Sequence, residues 1–317
     1  MRDRRPLRRL SRVFWLRGTA GVRGTRPNQF GSVRPKSMEA TPIKDSEGFR
    51  LFPTPSCRYK FMRGEEHLRA VEDAVKWFIE DGVCTLRSEY DVNPARVRTV
   101  VESVSPVPIA VSLLVGDCVG NFRASLDHMW TAVLDQQGVE PASVSNFPIL
   151  RDRSAWRRSR STTRIQSSSI RMQLETAVEE FQPYRDPRAR QPLLQLRELV
   201  ARDEHRLVSL MVCSRGATLT EGESSFVGPP QARLEPGAVL VELGRQEILS
   251  LGWQGRLVAA RFDPMPRVAF AEPTAIAGLE VLSTLTAIRD EVARVMAGLA
   301  KFYAPEVPYD EWMRRPN

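Results

Sequence analysis

The sequence predicts a mainly α protein: a bundle of four or five helices, with a β-hairpin after the first helix and a small antiparallel β insertion before the last. Three observations carry this. Residues 63–80, 109–134 and 276–303 place apolar side chains at helical spacing. Residues 84–104 change to period-two alternation around Asn93-Pro94. Residues 206–272 are cut into short apolar runs by Gly216, Gly222, Pro229-Pro230, Pro236-Gly237 and Gly252, as expected for strands joined by turns.

The chain opens on a strongly basic stretch. Residues 1–37 hold eleven Lys or Arg and one acid, Asp3, a net +10 against +8 for the whole chain, which leaves −2 for the rest. The high pI therefore belongs to the tail, and a broad basic nucleic-acid footprint on the body is excluded. Residues 1–45 are expected to be a disordered tail ahead of a single domain, 46–317. A transit-type presequence, a nucleic-acid-binding arm, and a segment upstream of a working start at Met38 are the readings open for it. The four cysteines, Cys57, Cys84, Cys118 and Cys213, show no CxxC spacing. They are expected to be free thiols, without zinc, in a reducing cytoplasmic compartment. No charge-free apolar run reaches the roughly 18 residues of a membrane span.

Residues 39–60, with Pro42, Pro53 and Pro55, read as irregular. In the helix 63–80, His67, Ala70, Val71, Ala74 and Phe78 share a face, so His67 is expected to point to the core. The hairpin pairs 84–92 with 96–104. Pro106 and Pro108 precede a long apolar helix, Ile109 to Leu134, which Gly138 stops. Residues 151–171 read as a loop carrying Arg151, Arg153, Arg157, Arg158, Arg160, Arg164 and Arg171, with Trp156 among them. Two short helices follow, 170–181 and 191–206; in the second, Asp203 falls on the face of Leu193, Leu196, Leu199, Val200 and Leu207, with His205 roughly opposite. Strands are expected at 207–213, 238–243, 257–262 and 268–271. The last helix, 276–303, repeats Val281, Leu285, Ile288, Val292, Val295, Leu299 and Phe302 at alternating spacings of four and three. Such a seam packs against other helices of the chain or against a second copy.

The organising stretch is Gly116-Asp117-Cys118-Val119-Gly120-Asn121-Phe122-Arg123-Ala124-Ser125-Leu126-Asp127-His128. On a helix, Asp117, Asn121, Ser125 and His128 share one stripe of a surface otherwise apolar, so the stripe is expected to be buried and internally hydrogen-bonded. One reading makes it a packing network with Asp203, without chemistry. A metal site from His67, His128, Asp117 and Asp203 is a further reading; no two histidines stand at i, i+3 or i+4, and no metal or cofactor is expected. In the remaining reading, Arg123, four residues and His128 match the R-x4-6-H signature of HEPN-type helical ribonucleases. His128 is then the acid–base group, Arg123 the phosphate ligand and Asp127 its orienter, supported by Asp117, Asn121, Asp203, His205 and His67. Five residues of straight helix turn about 500°, leaving Arg123 and His128 about 140° apart, so they converge only across a distortion or a dimer interface. Arg151, Arg153, Trp156, Arg157, Arg158 and Arg160 are the expected RNA contacts, the arginines on phosphate and Trp156 stacking on a base. RNA and a second copy of the chain are thus the candidate partners; no membrane is expected.

In combination these motifs resemble an uncharacterised family of bacterial proteins. The resemblance rests on Gly64-Glu65-Glu66-His67-Leu68, the stretch 113–128, Asn146-Phe147-Pro148-Ile149, Phe181-Gln182-Pro183-Tyr184, Leu196-Arg197-Glu198-Leu199 and Asp203-Glu204-His205-Arg206. The family pattern is Gly-Asp-x-x-x-Asn-Leu-Arg-Ser-Ala-Leu-Asp-His followed by Asp-Lys-His-Arg. This chain departs from it at Gly120, where a His is expected, and at Glu204, in place of Lys. The resemblance spans about residues 60–303 and extends more distantly to the HEPN superfamily, implying a helical fold and an Arg/His site.

Overall fold

The computed structural model describes residues 55–92, 95–138, 146–162, 168–186, 191–221, 224–227, 233–250 and 261–303. The basic tail, the Asn93-Pro94 turn, and the expected strand at 257–262 apart from its last two residues lie outside them. The described chain is mainly α. Helices α1 (Pro55–Glu80), α2 (Ile109–Gln136), α3 (Arg153–Thr162), α4 (Ser168–Glu180), α5 (Gln191–Asp203), α6 (Arg245–Ser250) and α7 (Val281–Tyr303) alternate with strands β1 (Cys84–Val92), β2 (Ala95–Val104), β3 (Leu210–Glu221), β4 (Ser224–Val227), β5 (Val239–Gly244) and β6 (Arg261–Phe270).

Helix α1 begins two turns earlier than its periodicity suggests. Proline suits a first helical turn, where its missing N–H removes a donor that has no partner there, so Pro55 starts the helix. Helix α2 lies between α1, α5 and α7. Its composition and length also meet the requirement for crossing a membrane, and half of its most apolar window is buried by these neighbours. Gly138, with φ +68°, ends it in a conformation that costs glycine little. Two glycines set how closely the neighbours approach. A Cβ at Gly64 of α1 would lie 2.6 Å from the Phe122 ring, and one at Gly116 would collide with the Asp203 carboxylate at the end of α5. The seam of α7 is occupied from within the chain: Val281 through Leu299 is buried, packed on α2, α5 and α1.

The hairpin forms where it is expected, Cys84 opposite Val104 and Val92 opposite Ala95, with a shift of register between Thr85 and Leu86. It is not isolated. Strand β5 adds to β2 antiparallel, Arg96 opposite Gly244, so one three-stranded sheet joins the hairpin to the later β region. A second sheet has the order β4-β3-β6.

Two expectations about local structure are corrected. The described part of the Arg-rich stretch is helical at 153–162 and from 168 on: Asp152 caps α3, its Oδ1 accepting from the Ala155 N–H at 2.7 Å and the Ser154 hydroxyl at 2.6 Å. Leu207 is exposed, because α5 ends at Asp203 and the chain turns before it.

Candidate functional site

The expected polar stripe of α2 opens toward solvent. Asp117 is exposed, Asn121 and His128 are half-buried, and only Ser125 is fully buried. The hydrogen bonds return to the helix itself: Ser125 Oγ donates to the Phe122 carbonyl at 2.7 Å and Asn121 Nδ2 to the Asp117 carbonyl at 2.8 Å. A buried network running from this stripe to Asp203 is not what packs the helices.

A packing network exists, and other residues build it. Arg123 and Asp127, one turn apart on α2, meet in a two-point pair: Nε to Oδ2 at 3.1 Å and Nη2 to Oδ1 at 2.9 Å. Their side chains are 16% and 19% exposed, so neither is solvated as a surface ion would be. The pair faces the backbone of Phe147. Asp127 Oδ1 accepts its N–H at 2.7 Å, and Arg123 Nη2 donates to its carbonyl at 2.8 Å. Together they present one acceptor and one donor, as a neighbouring β-strand would.

The next residues are held in the same way. Gln182, fully buried after α4, donates to the Pro148 carbonyl and accepts the Leu150 N–H, both at 3.0 Å, while also donating to the Val178 carbonyl. Arg197 of α5 donates to the Ile149 carbonyl at 3.0 Å. Residues 147–150 belong to no helix or sheet, yet side chains from three directions take up their backbone groups. Phe147 and Ile149 point inward, Phe147 meeting Trp130 edge-to-face at 6.1 Å. Gln182 and Arg197 were not among the candidate site residues. Their signal was present in the blocks 181–184 and 196–199, which carry the family resemblance together with 146–149.

Electrostatics agree with an architectural role. Burial pushes the Asp127 carboxyl up from the ordinary range; the Arg123 charge, the Phe147 N–H and, more weakly, His128 act against it. Arg123 and His128 do not converge, since α2 runs unbroken through 109–136 and keeps them on different faces. Burial lowers His67, Arg63 adds to the effect, and Asp117 and Glu66 oppose it. His67 is half-buried and His205 exposed beyond the end of α5. Among the described residues no three His, Cys, Asp or Glu side chains are placed to hold a metal ion. Cys118 is buried, its thiol pushed up to about 12, and it donates to the Gly64 carbonyl at 3.5 Å.

Asp203 is half-buried over Gly116, and burial together with the Asp117 charge raises its pKa. A carboxyl raised in the folded state stabilises fully below its unfolded pKa, about 3.9, and that contribution is lost as pH rises through the folded value. Asp203→Asn is therefore expected to melt higher than the parent at pH 7, the gap closing toward pH 3.5. A gap that widens in acid would refute this assignment.

The basic segment is split between two roles. Trp156 is 8% exposed and belongs to the core. Its burial removes the expected stacking ring from the surface. Arg151 pairs with Glu198, and Arg153 lies 4.0 Å from Glu179. Arg157 and Arg158 are exposed, and the Arg160 side chain lies outside the described residues. No protein-family model, curated protein or solved structure matches this chain.

Proposed function

We propose that the protein binds RNA without cleaving it, on a mainly helical scaffold read as a bundle of α1, α2, α5 and α7. The carrying observation is the use made of Arg123 and Asp127. A phosphate ligand needs unpaired donors at the reacting group, whereas Arg123 is committed to Asp127 and to the Phe147 carbonyl. Releasing it would leave the Asp127 carboxylate without its cation and the Phe147 carbonyl without its donor in a largely buried place. The resemblance to HEPN proteins then bears on the fold and on RNA, with catalysis set aside. The exposed arginines of α3 supply the contact surface. A metal-independent ribonuclease centred on His128 is the competing reading; the half-buried place of His128 beside Asp127 is the observation in its favour.

The test is incubation of end-labelled RNA with the full chain, in excess EDTA and separately in Mg2+, beside His128→Ala. RNA is expected to be retained and intact in every lane, with equal retention by parent and variant. Cleavage in EDTA that disappears in a folded His128→Ala protein would establish the ribonuclease instead. No retention by either protein would end the RNA reading.

A further inference from the structure

We propose that the opening turn of α1 binds a compact oxyanion, a phosphate group, through one edge of the Arg58 guanidinium. The inference is independent of the RNA reading. Arg58 is the fourth residue of α1 and is 9% exposed. Its Nε and Nη2 atoms are buried and have no hydrogen-bond partner, and no ion pair engages the side chain among the described residues. These two donors form one edge of the guanidinium, the same edge with which Arg123 holds Asp127. The helix offers no local partner. One turn on stand Phe61 and Met62, and the nearest acids of α1 are Glu65 and Glu66, of which Glu66 pairs with Arg63. Arg202 shows the ordinary resolution of such a case: it also carries buried, unbonded nitrogens, but the Glu272 carboxylate stands beside it.

A guanidinium stays charged even when buried, and a buried charge calls for an opposite one. Burial lowers the Arg58 pKa from its ordinary value, and the influence opposing it is Tyr59, not a carboxylate. The surroundings add to the positive potential. Helical side chains lean toward the N-terminus, which carries this guanidinium over the first turn of α1. That turn is the positive end of a 26-residue helix and holds no acid. The Cys57 thiol lies against the N–H groups of Cys57 and Arg58; burial pushes it up to about 11, so it stays neutral. The donors left for a ligand are therefore those of the Arg58 side chain. Two parallel N–H groups match two oxygens of one phosphate or carboxylate, and the helix N-terminus favours the more highly charged phosphate. Burial of the guanidinium restricts the ligand to a compact group.

The test titrates inorganic phosphate, and separately acetate, into the full chain at an ionic strength held constant with chloride. Arg58→Met and Arg58→Lys are run beside the parent, and melting temperature and calorimetric binding are read. Phosphate at about 100 times its Kd is expected to raise the parent Tm by roughly 4–5 °C. Arg58→Met is expected to melt no lower than the parent in chloride, since an apolar chain of similar length replaces an unpaired buried charge. Its binding of phosphate should be weaker by about tenfold or more. Arg58→Lys keeps the charge and loses the edge, so about half of the shift is expected. An equal shift in parent and Arg58→Met would make it a general salt effect and overturn the site. No response of the parent to phosphate or acetate would overturn it as well; if Arg58→Met then also melts several degrees below the parent, a group of the chain itself pairs with Arg58. A full shift in Arg58→Lys would overturn the two-point contact. A shift with acetate and none with phosphate would overturn the choice of phosphate and assign the site to a carboxylate.

Discussion

Asp127→Ala is expected to destabilise the fold by about 3 kcal/mol, because it leaves a largely buried guanidinium without its partner and a backbone N–H without an acceptor. In a chain of this size that lowers Tm by roughly 4–6 °C. Asp127→Asn keeps an acceptor for the Phe147 N–H and loses the charge, so about half that effect is expected. The Arg123→Ala/Asp127→Ala double variant is expected to be less destabilised than the two single losses added together. A double-mutant cycle isolates that coupling, about 1–3 kcal/mol for residues in one network. Thermal melts of the four proteins check it. Variants as stable as the parent would show that the pair is not architectural and would reopen its use in catalysis.

Gln182→Ala is the second large effect. Its side chain is fully buried in the core and makes three hydrogen bonds, two of them to residues 148 and 150. Truncation opens a cavity and leaves the Leu150 N–H unsatisfied, together costing about 3 kcal/mol. Gln182→Leu refills most of the volume without restoring either bond, so its cost should remain near 2 kcal/mol, the penalty of the orphaned backbone groups. Full recovery of stability in Gln182→Leu would mean that volume alone matters at this position.

Much of the helical frame was legible from spacing alone. The apolar run of α2, the hairpin alternation and the seam of α7 are local patterns, and each appears within a few residues of where periodicity puts it. The pairing of Arg123 with Asp127 was also legible, because i and i+4 are neighbours on any helix. What the pair grips was not. Phe147 lies beyond the end of α2, and nothing local marks it as the target. The pairing of β5 with β2 escaped for the same reason: Arg98 and Glu242 are 144 residues apart. Helix α3 was misread because Ser and Arg dominate its composition, while its anchor is the single residue Trp156 and its start the single cap Asp152. The stripe of α2 was expected to be buried because apolar residues cover most of the wheel. Exposure of Ile109 and Leu113 shows that one side of the helix is open regardless.

The strapping of residues 147–150 has a consequence for the order in which the chain assembles. A β-strand can form as soon as its neighbour is present. Among the described residues this segment has no neighbouring strand; its backbone partners are Arg123 and Asp127 on α2, Gln182 after α4 and Arg197 on α5. Three separate parts of the chain must already be in place before it gains a full set of bonds. It belongs to the late, cooperative closure of the fold, and it opens only when that whole unit opens.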